Sequence, residues 1–302
     1  MNPMTHVDVL TDWVRTLENH GMLLSRSSMN APWGMQIPAS PTLVLHLIQQ
    51  GECWVRMHGL PDLHLQEGDL LLVTRGSTHQ LSDLPDRPVV SLEEFALRPP
   101  PEPDLPVCTL VCSQFQPDVQ LGRHLVKGLP EVVFLSASER KDHPSLDLAV
   151  QLFLLESAQG GSGSDVLIRH LLDAVLIYLL RHLMQQAQQP GWWMGASDPQ
   201  MSRALLSMHG QPNHAWTVEG LAEVAGLSRA AFARRFAETV GEPPLAYLTL
   251  WRMHLAARLL HRKDITVYQV AHQVGYTSEA SFSRAFKRQH GVAPQQYRNQ
   301  QA

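Results

Sequence analysis

The chain is poor in cysteine. It has three, Cys53, Cys108 and Cys112, an odd number without dense spacing. That excludes a disulfide framework and fits a reducing cytoplasm. No apolar run approaches the roughly 20 residues that a membrane helix needs. Two acids, Asp8 and Asp12, precede the first Arg or Lys, and no apolar signal core is present, so export is not expected. A His-x-His pair followed by Glu is also missing. His58 stands alone after Gly51, so the two-His-plus-carboxylate set of metal-dependent oxygen chemistry is not there.

What is there has the length of two domains, 302 residues at 44% hydrophobic and 17% charged. Charge is uneven along the chain. Residues 1–199 hold 22 Asp and Glu against 12 Lys and Arg, a net −10, whereas residues 200–302 hold 6 against 12, a net +6. Only the back of the chain is suited to face phosphate.

Residues 4–20 read as an amphipathic helix on Val7, Leu10, Val14 and Leu17. Short apolar runs follow at 42–49, 53–57, 63–65, 70–73, 89–97 and 107–115, separated by Pro, Gly and Asp. They predict a β-sandwich or barrel, with turns at Gly68-Asp69 and Arg75-Gly76 and a surface loop over Pro99–Pro106. Helices are predicted over 145–156 and 165–189, joined by a flexible loop at Gly160–Ser164. The second is apolar on more than one face, which suits burial against a neighbour in the same chain or a second copy. Gln188–Ser197 reads as the linker, with Trp192 and Trp193 packing on a surface.

From Asp198 onward the pattern is helical. Thr217 caps a helix over Val218–Ala225, Gly226 permits a turn, and Ser228 caps a second helix over Arg229–Thr239. The plan recurs. Thr266 caps Val267–Val274, Gly275 turns, and Ser278 caps Glu279–Gln289. Ala271 and Gly275 follow Ala222 and Gly226 by 49 residues. Phe282, Arg284 and Phe286 follow Phe232, Arg234 and Phe236 by 50. The slip of one falls in the turn, where insertion is cheapest. Two helix-turn-helix units in register, each with an Arg between paired Phe residues, are far more specific than one. A helix over Leu245–Arg262, started by Pro243-Pro244, joins them. At 1.5 Å per residue it spans about 27 Å, near the roughly 34 Å between successive major-groove faces.

Residues 217–298 resemble the C-terminal domain of AraC/XylS-type transcription regulators. GYTSEASFSRAFKRQHGVAPQQYR (275–298) is close to that family's signature, and 216–260 matches over its whole length. The resemblance implies that the second helix of each unit enters the major groove. It offers Arg229, Ala230 and Arg234 in the first, and Ser278, Glu279, Ala280, Ser283 and Arg284 in the second. Arg can give two hydrogen bonds to guanine, and Glu can accept from cytosine N4. Lys287, Arg288 and Arg235 are expected to meet phosphate or solvent.

Residues 68–79 (GDLLLVTRGSTH) resemble the second cupin motif, with Thr74 in place of the usual Pro. The likeness extends over about 22–115 and implies a sensing domain of the cupin type rather than an enzyme. His46, His79 and Cys112 are its polar candidates. They could hold a soft metal ion, or Cys112 could be an oxidisable sensor. Two hydrogen-bonded core histidines and an inert thiol are the alternative. Redox-responsive relatives pair the position of Cys112 with a cysteine near the domain's start, but here that stretch, SRSSMNAPWG, carries none. Cys108 and Cys112 share a strand face, and their Cα separation of about 13 Å is too long for a bridge.

The expected architecture is a two-domain α+β chain. A cupin-like barrel or sandwich with flanking helices fills 1–187, a linker 188–197, and an all-α double helix-turn-helix 198–302. The expected role is that of a cytoplasmic regulator binding double-stranded promoter DNA as a homodimer through helices within 145–189. It would meet RNA polymerase if it activates, and no membrane. A cupin enzyme whose helical tail aids assembly, and a repressor without a ligand, are the competing readings.

Overall fold

The computed structural model describes residues 8–16, 21–102, 104–116, 129–186 and 190–300. The chain divides into two compact units. One is Leu17–His182; the other joins the N-terminal helix to the chain from Leu183 onward.

Among the described residues, the first unit is built on ten strands: β1 (Met22–Asn30), β2 (Gly34–Ile37), β3 (Leu43–Gln50), β4 (Glu52–Met57), β5 (Leu63–Gln66), β6 (Leu70–Val73), β7 (His79–Ser82), β8 (Val90–Ser91), β9 (Val107–Phe115) and β10 (Val132–Leu135). They form two five-stranded sheets, ordered β1-β9-β3-β6-β10 and β5-β4-β7-β2-β8. All pairings are antiparallel except the short β2–β8 contact. Alternation in β4 sends Cys53, Val55 and Met57 inward, where they meet Leu65, Leu71, Leu81 and Leu110 from both sheets. Gly76 sits at φ +57, and a Cβ there would collide with the Ser40 carbonyl oxygen, so the turn after β6 requires glycine.

The expected strands over 42–49, 53–57, 63–65, 70–73 and 107–115 are present within a residue or two. The run 89–97 is not one strand. Only Val90–Ser91 pairs, and Leu92–Ala96 is helix α2, whose N-cap hydroxyl, Ser91, accepts from Glu94 N at 3.1 Å. Helices α3 (Ala137–Lys141), α4 (Pro144–Gln159) and α5 (Ser164–Gln186) follow the sheets. Residues 187–189 of the second expected helix lie outside the described residues.

The second unit is helical: α1 (Val9–Thr16), α6 (Trp192–Ser197), α7 (Pro199–Gly210), α8 (Val218–Ala225), α9 (Arg229–Val240), α10 (Pro244–Leu260), α11 (Val267–Gln273), α12 (Glu279–His290) and α13 (Pro294–Gln300). Two expectations change here. Residues 192–197 of the expected linker are a helix of this unit, in which Trp192 and Trp193 are buried and α6 packs on α7 and α9. The N-terminal helix belongs with this unit and not with the sheets, since Val9 and Leu10 are buried and α1 packs on α6 and α7. Residues 4–7 and 17–20 of the expected helix lie outside the described residues. No helix among the described residues is long and apolar enough to cross a membrane.

Candidate nucleic-acid interface and sensor cavity

The two helix-turn-helix units are built alike. The Thr217 hydroxyl accepts from Gly220 N at 3.0 Å, and Ser228 from Ala231 N at 3.3 Å. In the second unit Thr266 forms a capping box with Gln269, and Ser278 accepts from Ser281 N at 3.4 Å. Gly226 and Gly275 take left-handed backbone at φ +72 and +86. Ala222 and Ala271 are buried where the paired helices cross. Phe232 and Phe236 are fully buried with centroids 5.5 Å apart; Phe282 and Phe286 repeat this at 5.6 Å. Burying two Phe side chains per unit anchors each second helix, so its opposite face is held outward.

That outward face carries the expected residues. Arg229, Ala230 and Arg234 are exposed on α9, and Ser278, Glu279, Ala280, Arg284 and Lys287 are exposed at or on α12, with Ser283 half-buried between them. The faces differ in charge. Arg229 pairs with Glu219 at 2.7 Å, and Arg234 lies 4.0 Å from Glu238. Arg284 donates to the Ser281 hydroxyl at 3.1 Å and has no carboxylate partner among the described residues. Exposed pairs contribute only about 0–1 kcal/mol, so the arginines of the first unit exchange acid for base edge at small cost.

Several basic side chains are committed to the fold. Arg235, expected to meet phosphate or solvent, instead donates to Asp198 at 2.6 and 3.1 Å and to Gln200 at 2.5 Å. Burial alone would raise the Asp198 carboxyl. The amides of Met201 and Gln200 and the Arg235 guanidinium outweigh it and hold the carboxyl below its ordinary value. Arg203 donates to the carbonyls of Val224 and Ala225 at the end of α8, and Arg298 to that of Leu260. The positive charge legible in the sequence therefore overstates the charge offered to a duplex.

The sensor candidates meet in the first unit. His46 on β3 lies opposite Cys112 on β9, and its Nδ1 is 3.2 Å from Sγ. The Nε2 atoms of His46 and His79 are 2.7 Å apart. His79 Nδ1 is 2.8 Å from the Ser77 carbonyl oxygen, so that nitrogen carries the proton. The rest of the chain follows. His79 Nε2 accepts from His46 Nε2–H, and His46 Nδ1 accepts from the Cys112 thiol. Burial, then the neighbouring His79, holds His46 well below its usual range. Burial lowers His79 against the opposing Ser77 bond. Burial likewise pushes the Cys112 thiol up to about 12, opposed by a hydrogen bond from Ser25.

This relay opens on a cavity of about 970 Å³, with Trp33, Met35, Val44, Phe95 and Leu110 among its walls. A metal ion fits poorly here. Each imidazole Nε2 is already satisfied by the other, and no cluster of three ligating side chains occurs among the described residues. A thiol pair elsewhere in this unit carried no signal in the sequence. Cys53 and Cys108, from opposite sheets, are hydrogen-bonded to each other, which raises Cys53 and lowers Cys108. Their separation of 55 positions gave no local signal.

A cupin family model matches residues 8–185, and a helix-turn-helix domain model matches 221–300. Over 302 residues the chain is 30% identical to an AraC-like transcription regulator of Streptomyces lividans, covering 97% of this chain and 98% of that protein. It is 33% identical over 264 residues to a helix-turn-helix transcriptional regulator of Haemophilus influenzae, covering 84% and 85%. It is 30% identical over 281 residues to the transcriptional regulator AlkR of Acinetobacter baylyi, covering 89% and 91%. A cupin-type domain followed by paired helix-turn-helix units, matched along its length by such regulators, places this chain in the AraC family of DNA-binding transcription regulators.

Proposed function

We propose that the chain regulates promoters by reading two unlike half-sites through α9 and α12, under control of a small, predominantly apolar effector held in the cavity of the first unit. The observation that carries this is the repeated Phe–Arg–Phe geometry, in which each buried aromatic pair holds an exposed Arg outward. Arg229 and Arg234 suit a narrow guanine contact flanked by alanines. Ser278, Glu279, Ser283 and Arg284 form a more polar reader, with Lys287 and Arg288 at phosphate.

Pairing of two chains through α4 and α5 is part of the same proposal. Leu148, Leu152 and Leu155 lie exposed on one face of α4, and Val166 and Leu167 at the start of α5. Stripes of that spacing suit a helix from a second copy. The chain would act in the cytoplasm, and an activating member would also meet RNA polymerase.

Mapping the genomic fragments bound by the purified chain, then measuring their affinity at fixed salt, tests the regulatory reading. A specificity ratio of about 10³ or more over random duplex is expected. Equal affinity for all fragments contradicts it.

A further inference from the structure

We propose that Cys112 captures an apolar α,β-unsaturated carbonyl compound in the cavity by conjugate addition, with His46 carrying the thiol proton. The inference rests on the cavity reading above and names the chemistry of its occupant.

Three features converge. The cavity has the volume of a site for a drug-sized molecule, about 970 Å³, and walls that are mainly apolar. A soft nucleophile, the Cys112 thiol, is set in that wall. A base is already hydrogen-bonded to it, since His46 Nδ1 accepts the S–H at 3.2 Å. The tautomer is fixed from the far end of the relay by the Ser77 carbonyl, so His46 Nδ1 faces sulfur without its proton.

The step balances without an oxidant or a leaving group. Sulfur bonds to the β-carbon of the alkene, and the π electrons move toward the carbonyl to give an enolate. The thiol proton passes to His46 Nδ1. The resulting imidazolium donates its other N–H to His79 Nε2 and returns the first proton to the α-carbon. The net change is addition of S–H across C=C. The Ser25 hydroxyl, hydrogen-bonded to Cys112, stabilises charge on sulfur as the S–H bond breaks, before that charge passes to the enolate.

Burial accounts for selectivity. A thiol pushed up to about 12 is almost wholly protonated near neutrality. It reacts slowly with electrophiles that merely collide with the protein. An apolar enone that dwells in the cavity lies beside both the thiol and its base. Among the described residues, Cys53 and Cys108 have no imidazole relay of this kind, and neither lines the cavity.

The test uses the full-length chain with benzylideneacetone and its saturated counterpart benzylacetone. Intact mass should show one benzylideneacetone per chain, mapped to Cys112, and Cys112→Ser should remain unmodified. Benzylacetone should raise the melting temperature without an adduct. His46→Gln should slow addition by about a hundredfold while benzylacetone still raises its melting temperature. If that variant does not fold, the wild-type rates decide. Relative to free glutathione, benzylideneacetone should outpace acrylamide at Cys112 by at least about tenfold. Stabilisation by benzylacetone with no adduct, an adduct at Cys53 or Cys108, or no preference over acrylamide overturns the inference and leaves the cavity reading standing. Neither stabilisation nor adduct overturns both.

Discussion

Gly275 packs so tightly against Arg252 that a Cβ on the glycine would sit 2.9 Å from a guanidinium nitrogen. The same guanidinium donates to the carbonyls of Pro212 at 2.6 Å and His214 at 2.7 Å. Arg252 lies on α10, residues 212–214 lead into α8, and Gly275 is the turn of the second helix-turn-helix unit. The entry of the first helix-turn-helix unit is therefore fastened to the turn of the second. Spacing between the readers rests on this strut as well as on the length of α10.

Gly275→Ala should cost about 2–3 kcal/mol, from left-handed backbone plus the displaced guanidinium. Gly226→Ala, at φ +72 with ordinary contacts only, should cost about 1–2 kcal/mol. Urea unfolding of the helical unit, followed by tryptophan fluorescence, checks the difference. Equal costs would remove the strut from the account.

Arg235→Ala should lower stability by about 1–2 kcal/mol and leave the salt dependence of DNA binding unchanged, because its partners are Asp198 and Gln200. The Asp198 carboxyl is held below its ordinary value. Its contribution is thus complete above the unfolded value of about 3.9 and is lost as pH falls through the folded one. Asp198→Asn should flatten acid unfolding of the helical unit below about pH 4. A reduced salt slope in Arg235→Ala would instead return that residue to phosphate.

His46 and His79 are both held neutral by burial. Below the unfolded value of about 6.5, the unfolded chain binds protons that the native unit does not. Stability of the first unit should therefore fall as pH drops from about 7 to about 5, through that value. Melting curves at intervals across that range check it, and a flat profile contradicts the buried relay.

Leu152→Lys, in the exposed stripe of α4, should give monomers where the wild-type chain sediments as a dimer, and weaken binding to paired sites. Sedimentation that is identical for both proteins rules this stripe out as the dimer contact.

Much of the helical unit was legible because the same chemistry recurs at a fixed interval. Phe232 with Phe236 and Phe282 with Phe286 mark helices whose buried sides cannot be mistaken. The sheet unit was harder. Strand β1 was missed because its polar run, SRSSMN, helps to line a cavity instead of a dry core, so it lacks the apolar alternation of a half-buried strand. Helix α2 was read as strand from Val89, Val90 and Phe95, although Ser91 with Glu94 carried a capping signal. The relay of His46, His79 and Cys112 was assembled only as candidates, since the β3–β9 pairing over 66 positions and the packing of one sheet on the other over 33 positions set it. The commitment of Arg235 to Asp198 was not legible, because an exposed Arg on a recognition helix looks the same in sequence whether or not a carboxylate waits beside it.

The central claim is that α9 and α12 are unequal readers of the major groove. Quantitative gel shifts of the wild-type chain, Arg234→Ala and Arg284→Ala on one mapped operator, at one salt concentration, test it most directly. Each substitution should cost about 1–3 kcal/mol at the specific site, relax base preference in a different half-site, and leave affinity for random duplex nearly unchanged. Specific affinity that stays at the wild-type level in both variants would contradict the account.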